Sequence, residues 1–201
     1  MYRRTEDLRI MGVFRLRIAL AAVAMLAVPG LGHAEIDVKQ LKMVRAASTS
    51  LKQAVSTAEH DLKGKAYAAT ASFNGDVVLY TIKLLVADKP VAVTIDAKTG
   101  KVTSSVVVSG ENMALLKDFA KLKGTLLAAI RAAEVTAKGK SFNAAFKHIG
   151  NKALFDIDAA ARDDAEKEVF IDAISGKIRK VIDKSADAAS EALGAAVQDA
   201  Q

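Results

Sequence analysis

The chain has 201 residues, a formal net charge of +6 and no cysteine. The absence of cysteine excludes disulfides, thiol catalysis and cysteine-ligated metal clusters. Five arginines fall within residues 1–34, so the remaining 167 residues carry 24 basic and 21 acidic side chains, and a net charge of +3 without an arginine cluster is not typical of a nucleic-acid-binding protein.

The first segment, residues 1–34, has the pattern of a secretory signal peptide. A basic region precedes an uncharged apolar run from Ile18 to Val28, and Gly32 and Ala34 place small residues at the −3 and −1 positions of a cleavage site. The apolar run is about half as long as the ~20 residues that a membrane span needs. The sequence therefore predicts a periplasmic or secreted protein that has no membrane attachment after cleavage.

Two stretches of the remaining chain repeat one another. Leu51–Val102 and Leu126–Ile178 share a skeleton at an offset of 75 residues, which becomes 76 after a turn. The matched pairs include Glu59 and Glu134, Gly64 and Gly139, Tyr80 and Phe155, and Gly100 and Gly176. A constant offset that changes inside a turn indicates a duplicated folding unit. We therefore predict one unit at residues 35–109 and a second at residues 110–183.

The first unit predicts a helix followed by a β-meander. Apolar residues recur at helical spacing from Leu51 to Leu62, with Ser48 or Ser50 as the cap and Gly64 as the left-handed residue that ends the helix. The Asn74-Gly75 pair is typical of a hairpin turn. The predicted strands are Tyr67–Phe73, Val77–Ala87, a third strand containing Val91, Val93 and Ile95, and Lys101–Val108.

The second unit predicts the same order of elements. An apolar face extends along one long helix from about Glu111 to Lys138. The predicted strands are Ser141–Ile149, Lys152–Ala161, Lys167–Asp172 and Lys177–Ile182. Residues 184–201 are alanine-rich and predict a C-terminal helical tail. The fold class is α+β, with two tandem units, each a helix packed on an antiparallel β-meander of three to four strands, plus a C-terminal helix.

The residues that repeat also resemble a known family. An Asp-Ala-x-x-Gly-Lys turn occurs at 96–101 and again at 172–177, and each is preceded by an aromatic strand residue, Tyr80 or Phe155. Together these features resemble the PepSY domain. The resemblance implies a helix packed on an antiparallel sheet and an extracytoplasmic, non-catalytic role. PepSY units occur in propeptides of secreted metalloproteases, which suggests protease inhibition or ligand binding.

The recurring aspartates, Asp96 and Asp172, are expected to form turns and not a catalytic site. An aspartate at the first position of a tight turn accepts backbone hydrogen bonds, and Gly100 or Gly176 supplies a positive φ. The sequence contains no recognisable nucleophile–base pair, zinc-protease motif or phosphate-binding loop. The chain is therefore predicted not to be an enzyme.

An acidic patch distinguishes the second unit from the first. Asp156 and Asp158 share one strand face, where the first unit has Thr81 and Lys83. The candidate metal-ligating residues are Asp156, Asp158, Asp163, Asp164, Glu166 and Glu168. Carboxylate oxygens suit Ca²⁺ or a trivalent lanthanide-type ion of similar size. The alternative interpretation is a solvated acidic face that nearby lysine and arginine side chains balance.

These observations leave three functional hypotheses. The first is a non-enzymatic periplasmic binding or regulatory protein. The second is a protein that binds a hard metal ion through the acidic patch, with Ca²⁺ or a lanthanide ion as its ligand. The third is an inhibitor of a secreted protease that docks an exposed edge strand or loop into the protease cleft.

Overall fold

The computed structural model describes residues 36–184. The predicted signal peptide and the predicted helical tail beyond Lys184 lie outside the described residues. Within residues 36–184, none of the helices has both the length and the apolar character that a membrane span requires.

The described chain alternates helices with antiparallel strands. The helices are α1 (Val38–Ala46), α2 (Leu51–Leu62), α3 (Met113–Lys121) and α4 (Leu126–Ala137). The strands are β1 (Lys65–Asn74), β2 (Val77–Val86), β3 (Lys89–Asp96), β4 (Val102–Val107), β5 (Gly139–Ile149), β6 (Lys152–Ala161), β7 (Glu166–Asp172) and β8 (Ile178–Asp183). The predicted strand bounds differ from these by no more than two residues, and the α+β class is confirmed.

All eight strands belong to one antiparallel sheet in the order β4-β3-β2-β1-β5-β6-β7-β8. The two meanders therefore merge through β1 and β5, which pair at Ala68 with Ala145, Ala69 with Ala144 and Thr70 with Asn143. This seam is much shorter than the pairing of β5 with β6, which extends from Gly139 to Ile149. Strand β6 consequently lies inside the sheet, with β5 on one side and β7 on the other.

The main core lies between the sheet and helices α2, α3 and α4. Tyr80 and Phe155 are both buried there, and they occupy equivalent positions on β2 and β6. Phe119 of α3 fills the centre, with ring centroids 5.2 Å from Phe146 and 6.5 Å from Phe155. Full burial of a large apolar side chain stabilises a fold by about 1.5–3 kcal/mol, so these aromatic contacts anchor α3 to β5 and β6.

The two capping residues predicted for helix α2 have different outcomes: the cap at its start is confirmed and the one at its end is wrong. Ser50 is the N-cap, where it forms a reciprocal capping box with Gln53. The left-handed residue, however, is Lys63 (φ 52°) and not Gly64. Gly64 is required for a different reason, because a Cβ atom there would lie 2.7 Å from Cγ2 of Val86 on the neighbouring strand.

The predicted long helix from Glu111 to Lys138 is wrong, because the structure divides it into α3 and α4. The backbone of Leu122 is extended, and Thr125 begins α4 as its N-cap. Between them, Gly124 lies so close to the sheet that a Cβ atom would be 2.6 Å from the carbonyl oxygen of Ala173. The apolar periodicity continues through this break, so the pattern alone did not reveal it.

Helix α1 was not predicted. Its N-terminus carries a capping box, in which the side chain of Asp37 accepts from the backbone of Gln40 and the side chain of Gln40 accepts from Asp37. Leu41 and Val44 of this helix pack against Phe142 and Ala160 in a second, smaller core. The Asp37-x-x-Gln40 spacing is the signal that could have indicated this helix.

Gly139→Ala tests the site where an added Cβ atom would approach the backbone most closely among the described glycines. A Cβ atom at Gly139 would lie 2.2 Å from the carbonyl oxygen of Ala160, and this backbone oxygen cannot rotate away. We expect a loss of about 2 kcal/mol or more in the free energy of unfolding, measured by urea denaturation. The matched control, Gly64→Ala, meets the rotatable side chain of Val86 first and should cost less. Equal losses at the two positions would contradict this account.

Candidate metal centre

Strand β6 carries two carboxylates inside the protein. Every residue from Leu154 to Ala161 is buried, and the exposed fractions of Asp156 and Asp158 are 2% and 1%. The interpretation of a solvated acidic face is therefore wrong for these two residues. Buried charges are costly unless they are paired or bind a metal ion, so their partners determine what this part of the molecule can do.

Asp156 has a partner for only one of its two oxygens. Its Oδ2 accepts a hydrogen bond of 2.6 Å from Nζ of Lys147 on β5. Its Oδ1 is buried and receives no hydrogen bond from any residue in 36–184. A buried acceptor without a donor costs about 1–3 kcal/mol.

Asp158 lies between two donors on opposite sides. Its Oδ2 accepts from Nδ2 of Asn143 at 2.8 Å, and its Oδ1 accepts from Nζ of Lys184 at 2.8 Å. The ammonium group of Lys184 also lies 3.0 Å from Oε1 of Glu166 and 3.9 Å from Oε2 of Glu168. Burial acts to lower the pKa of Lys184, but hydrogen bonds and charges from Asp158 and Glu166 more than offset it and raise the pKa above its usual range. Lys184 is therefore a charged ammonium group among carboxylates.

Asp156, Asp158 and Glu168 form the candidate centre, which we call the carboxylate triad. Glu168 is the direct cross-strand neighbour of Asp158 on β7. One carboxylate oxygen from each residue lies within 4.8 Å of the others. Oxygens bind Ca²⁺ at about 2.3–2.6 Å, so two ligands on opposite sides of one ion are about 4.6–5.2 Å apart. One ion of this size can therefore contact all three residues.

The pKa of Glu168 within the triad is raised to about 7. Burial is the largest cause, followed by the negative charge of Asp156, while Lys184 acts in the opposite direction and Asp158 raises the pKa further. Crowded carboxylates disfavour one another's ionised form unless a proton or a cation neutralises them. The centre is thus short of positive charge near neutral pH.

The other predicted ligands lie elsewhere. Glu166 shares the ammonium group of Lys184 with the triad. Asp164 is in the turn between β6 and β7, where it forms ion pairs with Arg45 and with Lys42. Asp163 is exposed in the same turn and accepts from the backbone of Ala165. The structure therefore brings together three of the six predicted residues and places Glu166 beside them.

Sequence reasoning missed the basic and amide partners of the triad. Asn143 is the cross-strand neighbour of Asp158, so the strand register could have indicated it. Lys147 reaches Asp156 although its cross-strand neighbour is Leu154, and Lys184 follows the end of β8. Both lysines use their length to reach a carboxylate beside their own position, which spacing alone does not reveal.

The turn aspartates behave as predicted. Oδ1 of Asp96 accepts from the backbone of Lys98 and Thr99 at 2.8 Å, and Asp172 accepts from Ser175 at the same distance. The glycines that follow, at positions 100 and 176, both have φ of 69°. A backbone hydrogen bond from Ser175 and then Arg179 hold the pKa of Asp172 well below its usual range. These residues stabilise turns and belong to no candidate site.

The triad has no counterpart in the first half of the sheet. The positions that correspond to its members are occupied by Thr81, Lys83 and Ala92. Lys83 forms an ion pair of 2.8 Å with Glu111 instead. The buried carboxylates are therefore a property of β6 and β7 and not of the meander as such.

Residues 49–106 match the profile of the family described as "Peptidase propeptide and YPEB domain", or PepSY. The chain contains a PepSY domain. This domain comprises α2 and nearly all of β1 to β4, so the carboxylate triad lies outside the matched residues. No curated protein sequence matches the chain.

Two solved structures are similar to part of this chain. A lipoprotein from Clostridium difficile 630 is 16% identical, with a TM-score of 0.41, over 70% of this chain and 96% of that one. The YpmB protein from Bacillus subtilis is 18% identical, with a TM-score of 0.29, over 65% of this chain and 95% of that one.

Glu168 predicts a pH dependence of stability in protein treated with a chelator. Because folding raises the pKa of Glu168 from 4.5 to about 7, the folded protein retains a proton there that the unfolded chain has released. The contribution of Glu168 to the free energy of unfolding should be greatest below pH 4.5 and should decrease as the pH rises to about 7. Urea unfolding across this interval measures the decrease, and Glu168→Gln should abolish it. An unchanged slope in the variant would contradict the assignment.

Proposed function

We propose that this protein is an exported, non-enzymatic PepSY-type binding protein whose ligand is a hard cation, either Ca²⁺ or a trivalent ion of lanthanide size. The carboxylate triad is the binding centre. One observation carries the proposal: Oδ1 of Asp156 is buried, receives no donor from residues 36–184 and lies beside two further carboxylates. A cation at that point supplies the missing partner. The predicted signal peptide supports a periplasmic or secreted location.

The charges around the triad support a multivalent cation. Three carboxylates face two ammonium groups, those of Lys147 and Lys184, and Lys184 is shared with Glu166. The described cluster therefore carries excess negative charge, which a divalent or trivalent ion offsets. Oxygen ligands without sulfur or imidazole select hard ions over zinc or copper.

The ammonium group of Lys184 occupies part of the space that a cation bound by the triad would need. Its ammonium group contacts Asp158 at 2.8 Å and approaches Glu168 at 3.9 Å. A cation that binds all three triad members repels this ammonium group, so binding requires Lys184 to withdraw. A lysine side chain is long enough to do so by rotation about its own bonds. Withdrawal removes one more positive charge, which favours a trivalent ion over a divalent one.

We also propose that residues 110–183 form a second PepSY unit. Helices α2 and α4 both have 12 residues and both end at a left-handed lysine. Glu59 accepts from the backbone of Ala66, and Glu134 accepts from the backbone of Ser141, at matching places. The second unit would then hold the cation, while the first keeps the same framework without carboxylates.

Calorimetry tests the cation centre. We expect heat of binding from Ca²⁺ or La³⁺ titrated into the protein, because the ion neutralises the triad. The ion should also raise the melting temperature, since a saturating ligand at 100 times its dissociation constant stabilises by about 2.7 kcal/mol. The double variant Asp156→Asn, Asp158→Asn should lose both effects.

The control for this experiment is Asp163→Asn. It removes one carboxylate from the same predicted set but from outside the triad, so it should bind the ion as the unmodified protein does. If the double variant fails to fold by circular dichroism, the single variant Glu168→Gln provides the same test. Full binding in a folded triad variant would overturn the proposal.

The edge strand β4 favours a second candidate function, inhibition of a secreted protease. All six residues of β4 are exposed, and the exposed fraction of Val107 is 73%. β4 is a terminal strand of the sheet, so one edge of its backbone has no strand from residues 36–184 beside it. Extended segments bind by adding a strand to such an edge, and the matched family is described as a peptidase propeptide domain.

Inhibition assays against secreted metalloproteases test this second function. Val107→Pro removes a backbone N–H that faces away from β3, toward the outer edge of β4, and should abolish inhibition, because strand addition depends on that edge. The triad variant Asp156→Asn, Asp158→Asn should inhibit as the unmodified protein does. Equal inhibition by the proline variant would exclude β4 as the docking strand.

A further inference from the structure

A basic cleft of about 460 Å³ lies near the ends of α1 and α4, away from the carboxylate triad. Its lining includes Arg45, Glu134, Val135, Lys138, Lys140 and Arg162. Four of these six side chains are basic and one is acidic. The packing of the helices and strands does not account for this concentration of positive charge.

Two of the charged groups in the basic cleft are already neutralised. The guanidinium group of Arg45 donates to the carbonyl oxygens of Ala161 and Arg162 and pairs with Asp164. Glu134 pairs with Lys52 of α2 at 2.6 Å. Their net effect on the cleft is therefore small.

Three positive charges remain. Lys138, Lys140 and Arg162 form no ion pair with any residue in the described part of the chain, although Lys140 donates to the carbonyl oxygen of Ala47. The ends of α1 and α4 each contribute about half a negative charge. Together they offset about one of the three positive charges, so roughly two are left without compensation.

The basic cleft also exposes an apolar surface. Val135 lines it with an exposed fraction of 79%. An occupant that fits therefore carries several negative charges and some apolar side chains. A small inorganic anion satisfies only the first of these requirements.

We propose that the basic cleft binds the acidic C-terminal segment of this chain, residues 185–201. This segment contains three acidic residues, Asp187, Glu191 and Asp199, and no lysine or arginine. Leu193 and Val197 supply the apolar side chains that match Val135.

The segment starts at the correct end of the sheet to reach the basic cleft. Lys140 pairs with Ala160, and Ala160 pairs with Glu166. Lys167 pairs with Asp183, which places Lys184 beside Glu166 at the same level. Lys184 is thus three strands away from Lys140, or about 14 Å at 4.8 Å per strand. Seventeen residues span about 25 Å as a helix and about 55 Å when extended, so the segment is long enough in either form.

Hydrogen exchange of the full chain tests the proposal. We expect the amides of residues 185–201 to exchange more slowly than those of a free peptide with the same sequence. The variant Lys138→Glu, Arg162→Glu should reduce this protection about tenfold, because two attractive charges become repulsive. High salt should reduce it in the unmodified protein as well.

A charge swap makes the test specific. Asp187→Lys, Glu191→Lys should lose protection alone and should regain it when combined with Lys138→Glu, Arg162→Glu. The matched control is Lys98→Glu, Lys117→Glu, which makes the same change in net charge at exposed positions outside the cleft and should leave protection unchanged. Circular dichroism establishes that each variant is folded.

Three outcomes would overturn the proposal. The first is exchange of residues 185–201 in the unmodified protein at the rate of the free peptide. The second is equal protection in the unmodified protein and in the folded cleft variant. The third is protection that appears only at high protein concentration, because the occupant of the cleft would then be the segment of a second copy.

Discussion

The burial of two carboxylates on an interior strand is the constraint on which the chemistry of this protein depends. Removing a carboxylate from water costs several kcal/mol unless opposite charges and hydrogen bonds replace the lost hydration. Asp158 obtains both, from Asn143 and Lys184. Asp156 obtains a lysine for one oxygen and no donor within residues 36–184 for the other. The arrangement is satisfied in part, and the proposed hard metal ion would supply the partner that Oδ1 of Asp156 lacks among residues 36–184.

The fold and the chemistry of the sheet come from different residues. The apolar side of β2 and β6 carries Tyr80 and Phe155 at equivalent buried positions, and these residues hold the helices in both halves. The opposite side of each strand varies, and there Thr81 and Lys83 of β2 correspond to Asp156 and Asp158 of β6. The PepSY domain proper has the framework alone. Substitutions on one face of a strand can therefore create a site without disturbing the core. Common folds generally acquire different functions in this way.

Local rules predicted the strands and turns well, because hairpin chemistry depends on residues close in sequence. The turns at Asp96 and Asp172 formed as expected. Features that depend on tertiary contact were missed. The close approach of Gly124 to Ala173 breaks an apolar pattern that reads as one helix. The burial of Asp156 and Asp158 was also missed, since strand alternation identifies a shared face but not what covers it. The metal-ligating role of the triad stays a prediction.

Asn143 gives the seam between the halves a significance beyond its length. Oγ1 of Thr70 on β1 donates to Oδ1 of this amide at 2.9 Å, and its Nδ2 donates to Asp158. One side chain thus bridges the PepSY domain and the carboxylate triad. Because the amide contacts both side chains, Asp158 and Thr70 belong to one hydrogen-bond network across the shortest strand pairing in the sheet. The carboxylate triad on β6 and strand β1 are therefore joined by side-chain hydrogen bonds as well as by the backbone pairing of β1 with β5.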